Sequence, residues 1–182
     1  MMNFPVNDRI RLRAPEPEDL DQLYAWENDA SLWRRSNTVS PYSRYAIREY
    51  IAQAHLNIYE AKQMRLMIEE RISPAPVGVA DLYDFDLHNR KVATGILIDA
   101  SRRQKGIATQ TLTLLTEYVF AFLKLHQIYA YIPADNEASK RLFLRCGFHP
   151  TSLLKEWIRV EGGYSDVLLV QQINPCTPWK TI

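Results

Sequence analysis

The sequence predicts an α/β domain built on a mixed sheet (an α+β arrangement with both strand directions). Three observations carry this. Stretches with period-2 and period-3.6 apolar spacing alternate along the chain. One mostly apolar strand, Val92 to Ile98, stands in the middle of that order. Two strands around a Glu161-Gly162-Gly163 turn close the chain. The predicted order is β-α-α-β-β-β-α-β-α-β-β.

Arg9 to Arg13 alternates, with Ile10 and Leu12 on one side and arginines on the other, as in a half-buried strand. Pro15 and Pro17 end it. Pro17 suits the first position of a helix, with Glu18 and Asp19 in a first turn facing the positive end of its dipole. Leu20, Leu23, Tyr24 and Trp26 give that helix one apolar face. After Pro41, a second helix is expected from Ser43 to Ala61, with Ile47, Tyr50, Ile51, Ala54 and Ile58 on one stripe. Strands Met64 to Glu70 and Pro76 to Asp84 follow, then a polar turn, Asp86-Leu87-His88-Asn89-Arg90, and the strand Val92 to Ile98. A long helix opens near Gly106, its buried stripe reading Leu112, Leu115, Tyr118, Val119 and Phe122. Ile128 to Ile132 reads as a strand, and Glu137 to Cys146 as a short helix stopped by Gly147. Strands Leu153 to Val160 and Tyr164 to Gln171 form the last hairpin. Residues 1–174 are expected to form one domain and 175–182 a loose tail.

A chain of 182 residues is long enough for a real core. A formal net charge of +1 offers no excess for nucleic acid or a membrane surface as main partner. The N-terminus lacks an apolar signal region, and no apolar run approaches the roughly 18 residues of a membrane span. The expectation is a cytoplasmic protein. Cys146 and Cys176 lie far apart without metal-ligand spacing and read as two thiols, with a disulfide as the alternative. The four histidines, His55, His88, His126 and His149, are scattered, so no metal is expected.

Two segments carry chemistry. After the apolar strand, Arg103-Gln104-Lys105-Gly106-Ile107-Ala108 opens the long helix. Free backbone N–H groups at a helix N-terminus favour an anion, and Gly106 lets the backbone approach it without a Cβ in the way. Arg102, Arg103 and Lys105 add positive charge. The spacing is neither that of a P-loop nor of a dinucleotide fingerprint. Taken alone, it also suits an ordinary strand-to-helix loop with solvated basic residues. The second segment, Asp135 to Phe143, starts the short helix. Asn136 and Ser139 lie three apart on one helix face, where both could bond an extended amide-bearing ligand or could only cap the helix.

The pairing of R-x-x-G-x-A after a central strand with N-x-x-S-x-x-L-x-x-x-x-G-F after the next one resembles the GNAT superfamily of N-acetyltransferases. The Asp86 to Arg90 turn followed by the R-Q-K-G-I-A strand and helix looks like the RimJ/RimL branch, which acetylates protein N-termini; the Trp26 to Trp33 stretch looks like the spermidine acetyltransferases. The resemblance implies the GNAT acyl-CoA N-acyltransferase fold, with a splayed central strand pair and acetyl-CoA as co-substrate in the opening. It implies backbone groups of Leu97 and Ile98 on the pantetheine and at the thioester carbonyl. An N–H well placed there is worth roughly 2.7–4 kcal/mol. It further implies N–H groups of Arg103, Gln104, Lys105, Gly106, Ile107 and Ala108 on the pyrophosphate, and Asn136 and Ser139 beside the pantetheine arm or thiol.

The sequence departs from that family at two positions. Many relatives carry a glutamate on the central strand where Ala93 stands, and a tyrosine acid on the short helix where Phe143 stands. The catalytic candidates that remain are Ser139, as donor to the thiolate, and Tyr83 or Asp84, with Asp81 and Tyr131 behind them, as a relay for the amine proton. An acyl-CoA-binding module with weak catalysis is the rival reading. The amine acceptor is equally open. Arg34 and Arg35 stand where the spermidine branch carries acidic residues, which disfavours a polyamine and tolerates a neutral or acidic acceptor. The last hairpin leaves an edge strand that invites pairing across a homodimer.

Overall fold

The computed structural model describes residues 6–33 and 38–176. One seven-stranded mixed sheet runs through it. Its strands are β1 (Ile10–Arg13), β2 (Met64–Glu70), β3 (Ser73–Asp86), β4 (Lys91–Ile98), β5 (Gln127–Pro133), β6 (His149–Val160) and β7 (Gly163–Ile173), in the spatial order β1-β2-β3-β4-β5-β7-β6. The apolar strand β4 is therefore central, as its composition predicts. Every neighbouring pair is antiparallel except β4 and β5. The helices are α1 (Leu20–Glu27), α2 (Ala30–Trp33), α3 (Arg44–Ala52), α4 (Ile58–Ala61), α5 (Ile107–Glu117) and α6 (Glu137–Arg145).

The two faces of the sheet bury different elements. Leu66, Ile68, Leu82, Val92 and Ile128 pack with Leu112 and Leu115 of α5 and Phe143 of α6 in the larger core. Met67 and Val79 point the other way, onto Leu23 and Trp26 of α1 and Ile47 and Ile51 of α3. Side-chain alternation along β2 and β3 places neighbouring residues in separate cores.

Two expectations fail for local reasons. The helix expected from Ser43 to Ala61 is broken. Ser43 caps its start through the Ala46 N–H, but α3 ends at Ala52. Asn57 then accepts from the N–H groups of Tyr59 and Glu60 and starts α4 afresh. An asparagine that can cap competes with the helix interior. In the α5 stripe, Phe122 is 59% exposed rather than buried. A π-helical turn, Tyr118–Phe122, follows α5 and shifts the stripe, so Phe122 leaves the core and stacks on Tyr118 at 5.2 Å.

Candidate active site

The sheet opens at its centre. β4 and β5 pair only at Lys91↔Gln127, Val92↔Ile128 and Ala93↔Tyr129. Beyond Ala93, β4 stays on β3 as far as Ile98, while β5 stays on β7 as far as Pro133. Each strand follows its own neighbour, and a V-shaped gap with unpaired inner edges results. Alternation decides which backbone groups face it. The Asp99 N–H bonds to the Val77 carbonyl at 2.9 Å, so Asp99, and two residues earlier Leu97, turn their backbone groups to β3. Ile96 and Ile98 turn theirs into the gap. The pair expected from sequence is thus divided. Ile98 faces the gap, as does Ile96, and Leu97 packs its side chain beside the core under α1 and α3. The Ile98 carbonyl already accepts from Arg103 Nε at 3.1 Å, which leaves its N–H.

Past β4 a 3-10 turn, Ala100–Arg102, starts at Asp99. Asp99 accepts from Ser101 through its N–H and hydroxyl, and from the Trp26 indole at 3.0 Å; these donors hold its carboxyl below the usual range. Gln104 and Gly106 then adopt left-handed backbone, with φ of 61° and 76°. Such turns aim successive N–H groups to one side. Gly106 is the N-cap of α5, and no side chain caps it, so the first-turn donors stay open. Among the described residues beyond its own turn, a Cβ at Gly106 would meet only Arg9 Nη1, 3.9 Å away. Arg103, Gln104, Lys105 and Gly106 are exposed, whereas the Ile107 side chain is buried in the larger core and Ala108 packs against it. Those last two therefore present backbone, not side chains, to an anion. An open, glycine-floored cradle at a positive helix end suits the pyrophosphate of an acyl-CoA.

On α6, Asn136 is the N-cap, and its side chain accepts from the Ser139 N–H at 3.2 Å. The capping role left open by the sequence is thus filled, and the pair is still held together. The two departures from the family pattern both lie in packed interior. Ala93 is fully buried, and Phe143 is 4% exposed, edge-on to Phe148 at 4.9 Å.

The titratable groups gather on the face turned to α1 and α3. Asp81 pairs with Gly95, Tyr83 with Ala93, and Ala93 with Tyr129, so these residues share one face at the start of the gap. Tyr131 follows on β5, in edge contact with Tyr129 at 5.7 Å. Burial, then the Asp84 carboxylate, raises the Tyr83 hydroxyl far above its ordinary value and pushes Tyr129 up to about 12. At neutral pH Tyr83 keeps its proton and can donate but not serve as a base. Asp84 itself is exposed, in a bulge of β3, with a φ of 50°.

A cavity of about 440 Å³ lies beside this face, bordered by Glu27, Tyr50, Arg65, Asp81 and Tyr83. Arg65 organises it. Its Nε and Nη2 bond to Asp81 at 2.7 and 2.9 Å, its Nη1 bonds to Glu27, and its guanidinium lies 5.6 Å from the Tyr50 ring centre. Burial pushes the Tyr50 hydroxyl up to about 12. Two carboxylates against one guanidinium leave this wall net negative. Sequence reasoning missed Glu27 and Arg65. They stand 38 positions apart, with Arg65 16 from Asp81, and only the β2–β3 register and the seat of α1 bring them together. The Arg34 to Asn37 stretch, on which the expectation about the acceptor rested, lies outside the described residues.

The family model of the acetyltransferase (GNAT) domain matches residues 9–149. Among curated relatives, the spermidine N(1)-acetyltransferase of Escherichia coli K12 is 24% identical over 165 residues, covering 91% of this chain and 86% of its own. The putative ribosomal N-acetyltransferase YdaF of Bacillus subtilis is 27% identical, covering 92% and 93%. Among solved structures, spermidine N-acetyltransferase from Vibrio cholerae in complex with CoA and spermine superposes with a TM-score of 0.80 at 24% identity, over 92% of this chain and 97% of that one. With its splayed central strands, its cradle and this match, the chain belongs to the GNAT family and is an acetyl-CoA-dependent N-acetyltransferase.

Proposed function

We propose that the acceptor is a primary amine that arrives as a cation and docks in the cavity beside Arg65, while acetyl-CoA lies in the gap with its pyrophosphate on the α5 cradle. One observation carries the acceptor reading: Glu27 and Asp81, fixed by a single guanidinium, leave a negative wall at the strand position opposite Gly95. Such a wall attracts an ammonium group and repels an acidic acceptor. This reading stands against the tolerance for acidic acceptors expected from Arg34 and Arg35, which lie outside the described residues. It accommodates a polyamine, as in the relatives named for spermidine, and equally the α-ammonium of a peptide. The relative named as a putative ribosomal N-acetyltransferase and the Asp86 to Arg90 turn support the RimJ/RimL-like peptide reading.

For the cofactor seat, the N–H groups from Arg103 to Ala108 hold the pyrophosphate, Ile96 and Ile98 bond the pantetheine arm, and Asn136 and Ser139 flank its thiol end. Acetyl-CoA supplies the activated acyl group. The chain supplies position, which accounts for a large share of such a rate. Ser139 donates to the departing sulfur. Asp84, the carboxylate whose charge raises the Tyr83 and Tyr129 hydroxyls, is the outlet for the amine proton. The site is expected to work in the cytoplasm. It is also expected to work in an oligomer, since β6 is an edge strand exposing Leu153 and Trp157 and a Vibrio cholerae spermidine N-acetyltransferase is dodecameric.

The test is thiol release from acetyl-CoA over a panel of spermidine, spermine, peptides with free N-termini, and acidic amines. Turnover should rise with acceptor charge and fall with salt. Turnover confined to acidic acceptors, or acetyl-CoA binding without release across the panel, would refute the reading.

A further inference from the structure

We infer that Arg9, in the segment entering β1, is a ligand for the phosphate groups of the nucleotide half of CoA, aimed there by the buried carboxylate of Glu70. The inference rests on the seat proposed above and adds to it a residue outside the cradle motif.

The guanidinium sits at the mouth of the cradle. Arg9 Nη1 lies 3.9 Å from where a Cβ at Gly106 would stand, the one contact there from a described residue beyond the glycine's own turn. The Arg9 backbone that carries it is held on both sides. The Arg9 N–H donates to Asn7 Oδ1 at 2.9 Å, and the Arg9 carbonyl accepts from the Arg71 N–H at 2.8 Å. Asn7 in turn donates through Nδ2 to Gln110 Oε1 at 3.2 Å, which ties the segment to the first turns of α5.

Glu70 is 6% exposed and divides its two oxygens between two arginines. Oε2 lies 3.2 Å from Arg102 Nη1, a bonded distance; Oε1 lies 3.6 Å from Arg9 Nη2, too long for a good hydrogen bond. Arg102 therefore makes the hydrogen bond to the buried carboxylate, and Arg9 a looser ion pair with its other oxygen. Arg9, with 43% of its side chain exposed, is oriented by Glu70 but not consumed by it. Two guanidiniums over one carboxylate leave a net positive corner at an uncapped helix N-terminus. A guanidinium has five donors in a planar fork that matches phosphate oxygens.

The experiment is calorimetric titration of the full chain with CoA and dephospho-CoA, beside turnover with S-acetylpantetheine, which has no phosphate. Arg9→Gln should weaken CoA binding about tenfold, the loss of one charge-assisted contact. It should leave turnover with S-acetylpantetheine unchanged, and Arg9→Lys should recover part of the loss. A loss that persists with dephospho-CoA assigns the pyrophosphate, and one that disappears assigns the 3′-phosphate; both support the inference. Unchanged CoA affinity in Arg9→Gln, or equal losses with CoA and S-acetylpantetheine, would overturn it. Wild-type chain that binds no CoA would sink the seat itself, whereas wild-type binding matched by Arg9→Gln sinks only the role of Arg9.

Discussion

The indole N–H of Trp26, on α1, donates to the carboxylate of Asp99 at 3.0 Å, across the end of β4. This bond joins the helix that carries Glu27 to the loop that begins the phosphate cradle. One contact thus ties the proposed acceptor wall to the proposed cofactor seat. Trp26→Phe keeps most of the buried ring and removes the donor. A hydrogen bond to a charged group contributes about 1.5–3 kcal/mol, and Ser101 still holds Asp99, so a loss near about 1.5 kcal/mol is expected in denaturant melts. KM for acetyl-CoA should rise with little change in kcat. An unchanged KM would show that the cradle does not depend on α1.

Gly106 is a position where backbone conformation and ligand access can be separated. Its φ of +76° disfavours any L side chain, so Gly106→Ala should cost about 1 kcal/mol of stability. Gly162, in the β6–β7 turn with a φ of +84° and no described residue beyond its chain neighbours within 4 Å of a Cβ there, carries the same conformational penalty away from the gap. Both variants should melt lower by similar amounts, but only Gly106→Ala should raise KM for acetyl-CoA, by about tenfold or more. Equal KM values in the two variants would remove the cradle from the cofactor site.

Arg65 predicts an asymmetry between two ways of altering the acceptor wall. Arg65→Met leaves Glu27 and Asp81 without their common partner, and breaking such a pair costs roughly 3–5 kcal/mol when buried. Both carboxylates are about a quarter exposed, so the lower end applies. Asp81→Asn keeps the shape and removes one negative charge. It should lower kcat/KM for polyamines several-fold while leaving acetyl-CoA binding intact, as read by calorimetry. Equal loss for neutral and cationic amines would contradict an electrostatic role.

Acid should destabilise the fold through Asp19. Burial by itself would raise this carboxyl, but two bonds from Arg13, at 2.6 and 2.8 Å, and one from the Glu16 N–H outweigh it, and the net shift is downward. A carboxyl depressed in the folded state contributes stability that is complete above its unfolded value, near 3.9, and is lost as pH falls through the lower folded value. The Asp99 and Asp166 carboxyls are shifted the same way. Urea midpoints should therefore be flat from about pH 7 to 5 and fall below about pH 4. Asp19→Asn should be weaker at pH 7 and show a shallower acid limb. Parallel curves would assign the acid sensitivity elsewhere.

The sequence was legible where a single element carries its own signal. The Ile10 and Leu12 alternation, the apolar β4 run and the Gly147 stop each reflect one local rule, and each element stands where predicted. The start of α5 at Gly106 was legible for the same reason, because a helix start after a strand is local. The break in the Ser43 to Ala61 helix was readable in principle, since Asn57 and Glu60 have capping-box spacing. What no spacing reveals is a group assembled across elements. Glu70 with Arg9 and Arg102, and Arg65 with Glu27 and Asp81, depend on strand register and on which face each helix covers. Leu97 and Ile98 show the finer limit: neighbours on one strand turn their backbone groups to opposite sides because the backbone alternates.

Phe143 bears most directly on how the thiolate leaves. The ring is 4% exposed and packed against Phe148, so it holds the core together and cannot donate a proton. Phe143→Tyr adds one hydroxyl with little change in shape. If that hydroxyl stays inside the core without a partner, the fold loses about 1–3 kcal/mol. If it reaches the gap, the loss is small and the departing sulfur gains a donor, which acid help of this kind makes worth up to about 10²-fold. The expected result is a modest fall in stability together with a higher kcat, read by thiol release at saturating amine. Ser139→Ala separates the roles of the two side chains. In the wild-type background it should lower kcat, because Ser139 is the donor assigned to the sulfur there. In Phe143→Tyr the same change should matter less, since the new hydroxyl takes over the task. Identical effects of Ser139→Ala in both backgrounds would mean the two groups act independently. No effect in either would mean that the thiolate leaves without a side-chain donor from α6.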